Sequence, residues 1–149
     1  MAFLIPRAEE QRQLAAPVNA YAELLDVRIF LLHGEALKVD VTSDLQEIET
    51  LQTNMGIGRD GSHITYQFEH VLTAQDVDGT DALKVQVNLG VLFGFPGEDD
   101  PNGAVSEESL VAFGYTTAQL AAHPYLRSAV ADVTSKLGFP QVTLGLLKS

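Results

Sequence analysis

A few stretches of the chain hold residue types that could do chemistry. Gly56-Ile57-Gly58-Arg59-Asp60-Gly61 spells G-x-G-x-x-G, the spacing with which a glycine-rich loop cradles a pyrophosphate. That chemistry needs a strand entering the loop and a helix N-terminus receiving the anion. Here a β pattern follows, so the stretch reads as a flexible connection ahead of a strand. Glu98-Asp99-Asp100-Pro101-Asn102-Gly103 places oxygens at the first, third and fifth positions of a calcium loop and glycine at the sixth. Ser109 stands at the twelfth, where a bidentate Glu is wanted, and a solvated acidic turn is the better reading. The four histidines, His33, His63, His70 and His123, form no HxH or HxxxH pair, which leaves zinc without a ligand set. His70 falls on the otherwise apolar face of its strand and is expected to be a core or interface histidine with a hydrogen-bond partner. Ser106, Ser109 and Ser128 lack a nucleophile-elbow context. Glu107-Glu108 and Asp99-Asp100 sit in loop-like sequence, where burial does not raise a carboxyl pKa for acid catalysis. No catalytic set, metal site or cofactor emerges, and the expectation is a binding protein rather than an enzyme.

The elements that would carry such a binding function follow from periodicity. Pro6 to Ala16 suits a short polar helix, with Pro6 in its first turn and Pro17 ending it. Glu23 to Leu32 is apolar on both parities, which predicts a central or covered strand, interrupted by His33-Gly34. Ala36 to Thr42 alternates again, with Leu37, Val39 and Val41 inward. Residues 43–61 read as irregular. His63 to Thr73 and Ala82 to Phe95 alternate cleanly, one side apolar and the other polar, and QDVDGT between them makes the pair a hairpin. Residues 96–103 form a surface loop.

In the last third, Thr116 or Thr117 can cap a helix from about Ala118. Leu126, Val130, Val133 and Leu137 recur at spacings of four, three and four, an apolar seam. Pro124 predicts a kink or restart, Gly138 a left-handed C-terminal residue, and Pro140 a stop. Val142, Leu144 and Leu146 then alternate as a short strand. Helix, about four strands, kinked helix and final strand make the class α+β.

At 149 residues and 46% hydrophobic content, the chain suits one domain, 1–149, with 1–17 as an N-terminal helix or extension. Twenty acids against nine bases give a net charge of −11, which opposes phosphate-backbone binding and argues against nucleic acid as a partner. The apolar patch at the start is too short for a signal peptide, and no later stretch could span a bilayer. The absence of cysteine fits a reducing compartment, so a cytoplasmic protein with no membrane insertion is expected.

Two blocks resemble the SecB export chaperones and the SecB-like chaperones paired with toxin–antitoxin systems. In VQVNLGVLFGF, Gly90, Leu92 and Phe93 match the family's strand, and Pro124-Tyr125, Arg127 and Phe139-Pro140-Gln141 match its helix start and close. The resemblance covers roughly the last ninety residues well and the first sixty by element order. It implies a SecB-like four-stranded antiparallel sheet with a long kinked C-terminal helix packed on it. It also implies a homotetramer, a dimer of dimers, with Leu126, Val130, Val133 and Leu137 at the oligomer interface.

Function follows as a further implication: an ATP-independent holdase taking unfolded polypeptides, secretory precursors in protein export or an antitoxin, into hydrophobic grooves. Phe30, Leu32, Leu92, Phe95, Phe113 and Tyr115 would line such grooves, and Asp76, Asp78 and Asp81 lie in the turn equivalent to the acids that dock SecA. The sequence departs from the export chaperones after Leu144-Gly145-Leu146-Leu147, where they carry a Pro-Val-Asn-Phe segment, a second helix and an acidic tail. That departure favours a divergent relative with one dedicated client, such as an antitoxin, over SecA docking. The alternative is a structural or adaptor oligomer of the same fold that binds no client.

Overall fold

The computed structural model describes residues 3–4, 7–38, 50–94, 106–139 and 147–148. In chain order they form β1 (Phe3–Leu4), α1 (Ala8–Asn19), β2 (Glu23–Ala36), β3 (Thr50–Asp60), β4 (His63–Gln75) and β5 (Asp81–Gly94). Then come α2 (Glu107–Phe113), a π turn (Gly114–Ala118), α3 (Gln119–Lys136) and β6 (Leu147–Lys148). The main sheet is antiparallel throughout, in the order β2-β5-β4-β3, and β1 pairs with β6 in parallel. The fold is the expected SecB-like one: a four-stranded antiparallel sheet with a long C-terminal helical run laid on one face.

Four local expectations fail, each for a physical reason. Pro17 does not end α1. It lies near the C-terminal end, where its missing amide costs a single bond, and the chain goes on as Ala20 N–H donates to Ala16 O at 3.1 Å. His33-Gly34 does not interrupt β2. Any side chain at 34 would run into Val133 Cγ1 of α3, so the glycine marks a close helix crossing. Residues 50–60, within the segment read as irregular, are a strand. Leu51, Thr53, Met55 and Ile57 alternate with Gln52, Asn54, Gly56 and Gly58, and two glycines and two small polar residues thin the apolar signal below recognition. Finally, the helical run neither starts near Ala118 nor restarts at Pro124. Ser106 caps it by accepting from Ser109 N–H at 3.1 Å, and the irregular piece is the π turn.

The helix end was legible. Leu137 is its C-cap and Gly138 follows at φ 84°. Gly138 N–H donates to Ser135 O at 3.1 Å and Phe139 N–H to Thr134 O at 3.2 Å, a Schellman motif. The β4–β5 hairpin also stands as expected. Asp76 organises its turn by accepting from the Asp78 and Thr80 amides at 2.9 and 3.0 Å. Val39, Val41, the loop 96–103 and the strand expected at Val142 to Leu146 lie outside the described residues.

The core lies between the sheet and the helices. Ile64, Tyr66, Phe68 and Leu72 of β4 and the odd-numbered residues of β5 from Leu83 to Phe93 are all 3% exposed or less. Each such Val, Leu, Ile or Phe contributes roughly 1.5–3 kcal/mol by leaving water. Tyr66, Phe93 and Phe113 form an aromatic cluster with centroids 4.7–5.9 Å apart. The Tyr66 hydroxyl donates to Leu110 O at 2.7 Å, tying the sheet to α2, and burial pushes its phenol pKa up.

Candidate functional site

Strand β2 is where the molecule leaves apolar surface in solvent. It is an edge strand, paired with β5 along one side, and not the covered strand its composition suggested. Leu24, Leu25, Ile29, Phe30, Leu31 and Leu32 are 37–54% exposed. Two register shifts, at Leu25 and at Phe30, decide which way they point. Phe30 lies against Gly90, with its ring 3.7 Å from where a Cβ would stand, and Leu25 lies against Gly94. Both therefore sit on the outer face, away from the helices, where the register also puts Leu31 and Leu92. Ile29 and Leu32 pair with the core residues Leu89 and Val87 and point to the helix side. There α3 crosses over Gly34 but leaves Ile29 and Leu32 uncovered.

A second apolar depression opens between β3 and α2, lined by Ile57, Arg59, Glu107 and Leu110. Periodicity could not have found it, because the β3 side of it lies in the stretch read as irregular.

The residues singled out from sequence divide sharply. Phe30, Leu32 and Tyr115 are exposed and Leu92 is half-buried, whereas Phe113 is a core residue, 1% exposed. Phe113 sits in the aromatic cluster and cannot line a groove without unpacking it. Phe95 lies outside the described residues. The seam is used within the chain: Leu126, Val130 and Val133 are buried and Leu137 is half-buried against the core. Its spacing was read correctly, but it faces the chain's own sheet. Asp78 and Asp81 are exposed, while Asp76 is buried and accepts from Lys38 Nζ at 2.6 Å. That bond and the turn amides hold the Asp76 carboxyl below the usual range, so Asp76 is committed to its turn. His70 is buried as expected. Among the described residues no cluster of three or more His, Asp or Glu side chains could hold a metal ion, and no helix is long and apolar enough to cross a membrane.

A β2-β5-β4-β3 sheet backed by helices on one face and bare along one apolar edge is a SecB-like architecture. Sequence and structure agree on that class. The chain is 45% identical over 70 residues, 45% of its length, to the SecB-like chaperone Rv1957 of Mycobacterium tuberculosis (strain ATCC 25618 / H37Rv). It matches the SecB-like chaperone MT2006 of strain CDC 1551 / Oshkosh to the same degree. The match spans 36% of the length of these two relatives. Among solved structures, it is similar to the M. tuberculosis Rv1957 SecB-like chaperone in complex with a ChAD peptide from the Rv1956 HigA1 antitoxin. That likeness has a TM-score of 0.79 at 25% identity and covers 92% of this chain and 98% of the other. No protein-family model matches the chain.

Proposed function

We propose that this chain is an ATP-independent holdase of the SecB-like type, working in the cytoplasm and holding an extended, unfolded client such as an antitoxin. The observation that carries the proposal is the β2 strip. Six large apolar side chains stand half in water on an edge strand, in a chain that otherwise buries its core. An uncovered strip of this kind marks an interaction surface. The likeness to a chaperone solved with an antitoxin peptide supports a polypeptide as occupant. A net charge of −11 favours clients with basic flanks over acidic ones.

The strip's two faces suit two roles. On the outer face, Leu25, Phe30, Leu31 and Leu92 offer a shelf floored by Gly90 and Gly94, suited to an extended client. On the helix side, Ile29 and Leu32 continue the buried layer sideways, a surface suited to a second copy in a homo-oligomer. The oligomer contact thus moves from the Leu126–Leu137 seam to β2. With Asp76 committed to its turn, docking of a motor such as SecA would be left to Asp78 and Asp81, which is thin support for an export role.

Light scattering of an aggregating client tests the holdase. Stoichiometric chain without nucleotide should suppress scattering of reduced or heat-unfolded clients, antitoxin included. Failure across several clients, with no binding of a hydrophobic dye, would leave a structural oligomer as the surviving reading.

A further inference from the structure

Beneath α3 lies a polar group that the binding surface does not use. His70 projects from the helix-facing side of β4, 4% exposed, with its ring stacked on Phe68 at 6.0 Å between centroids. From β3, Thr53 Oγ1 lies 3.0 Å from Nδ1. Nε2 is buried with no hydrogen-bond partner among the described residues. Val87 is its cross-strand neighbour on β5, and Leu72 follows two residues along on β4. From α3 comes His123, itself buried and close enough to act on His70 electrostatically. Burial and His123 are the two influences on the His70 charge, and no carboxylate acts on it.

The geometry fixes where a proton would go. With Nδ1–H donating to Thr53, Nε2 is a bare acceptor in an apolar setting, the cheaper of the two tautomers to bury. A second proton must then enter at Nε2, where no acceptor meets it and a second imidazole lies near. Folded His70 accordingly resists protonation, with its pKa lowered to about 4 by burial first and by His123 second. The linkage sign follows. The unfolded ring binds its proton near pH 6.5 and the folded one does not, so stability is full above that pH and falls as pH drops towards 4. The chain's overall charge works the other way. Its −11 relaxes towards zero near the sequence pI of about 4.5, which weakens self-repulsion.

We infer that the His70–His123 pair is an acid-sensitive latch between sheet and helix: neutral, it lets α3 lie flat on β4; protonated at either ring, it lifts the helix and bares the apolar layer beneath. The latch does not depend on the holdase reading, and in a holdase it would link client affinity to pH.

Two measurements decide it. In NMR titration of the intact protein, the His70 ring should stay neutral down to about pH 5, whereas exposed His33 titrates near 6.5. Titration of His70 near 6.5 with the fold intact would overturn the latch. Hydrophobic-dye binding followed from pH 7.5 to 3.5 should rise in the native chain as pH falls below 5. In His70→Phe, which keeps the stack on Phe68, the midpoint should move at least half a pH unit lower. His123→Gln serves as the second variant should His70→Phe be misfolded at pH 7.5 by circular dichroism. An unchanged midpoint in the folded variant would assign acid loosening to other groups and end the proposal.

Discussion

Strands β2 and β5 are neighbours in one sheet, antiparallel, and nearly equal in length and apolar content, yet they meet opposite fates. The odd-numbered residues of β5 vanish under the helices, while β2 keeps six large apolar side chains half in water. The contrast does not come from composition. It comes from position in the sheet order and from where α3 crosses, over Gly34 at the far end of β2 rather than over Ile29 and Leu32. Hydrophobicity along the chain tells how strongly a residue seeks cover, and only topology tells whether the chain itself supplies it.

Substitutions can break that comparison in order of severity. Phe113→Ala empties the aromatic cluster between sheet and helix and should cost about 3–5 kcal/mol in urea unfolding. Gly34→Leu forces a side chain into Val133 and should cost about 1–3 kcal/mol. Much of that loss should return in Gly34→Leu/Val133→Ala, a double-mutant cycle that locates the crossing. Tyr66→Phe leaves Leu110 O without its donor, at about 1–2 kcal/mol. Phe30→Ser on the bare side should change stability by no more than about 0.5 kcal/mol, yet weaken client protection in the scattering assay about tenfold. Equal losses of stability at Phe113 and Phe30 would erase the distinction between the two strands.

Much of this arrangement was legible in the residues. The clean alternation of His63–Thr73 and Ala82–Phe95, with an Asp- and Gly-rich turn between, specified the hairpin at the centre of the sheet. Gly138 specified the end of α3. What stayed hidden was whatever depends on elements distant in sequence. The covering of Phe113 depends on Tyr66 and Phe93. The inward turn of the Leu126–Leu137 seam depends on a sheet laid down earlier in the chain. Strand β3 was missed because glycine and small polar residues diluted its alternation, and with it went the depression beside α2. Phe30 was identified from sequence, but its place on the outer face depends on a bulge that no local pattern announces.

The π turn at Gly114–Ala118 has a consequence for how the C-terminal half tolerates change. Bonding from i to i+5 takes up one residue more than an α-turn, so the segment acts as a slip joint between two stretches of helix. Removing one residue there should let α2 and α3 fuse into uninterrupted α-helix, turning everything downstream by about 100°. Leu126 and Val130 would swing away from the sheet, and their places would pass to polar neighbours. The same slack explains how a helix of fixed pitch can keep Gly114 hard against Met55 and Tyr66 while Val133 still meets Gly34, two anchorages that a straight rod could not both satisfy.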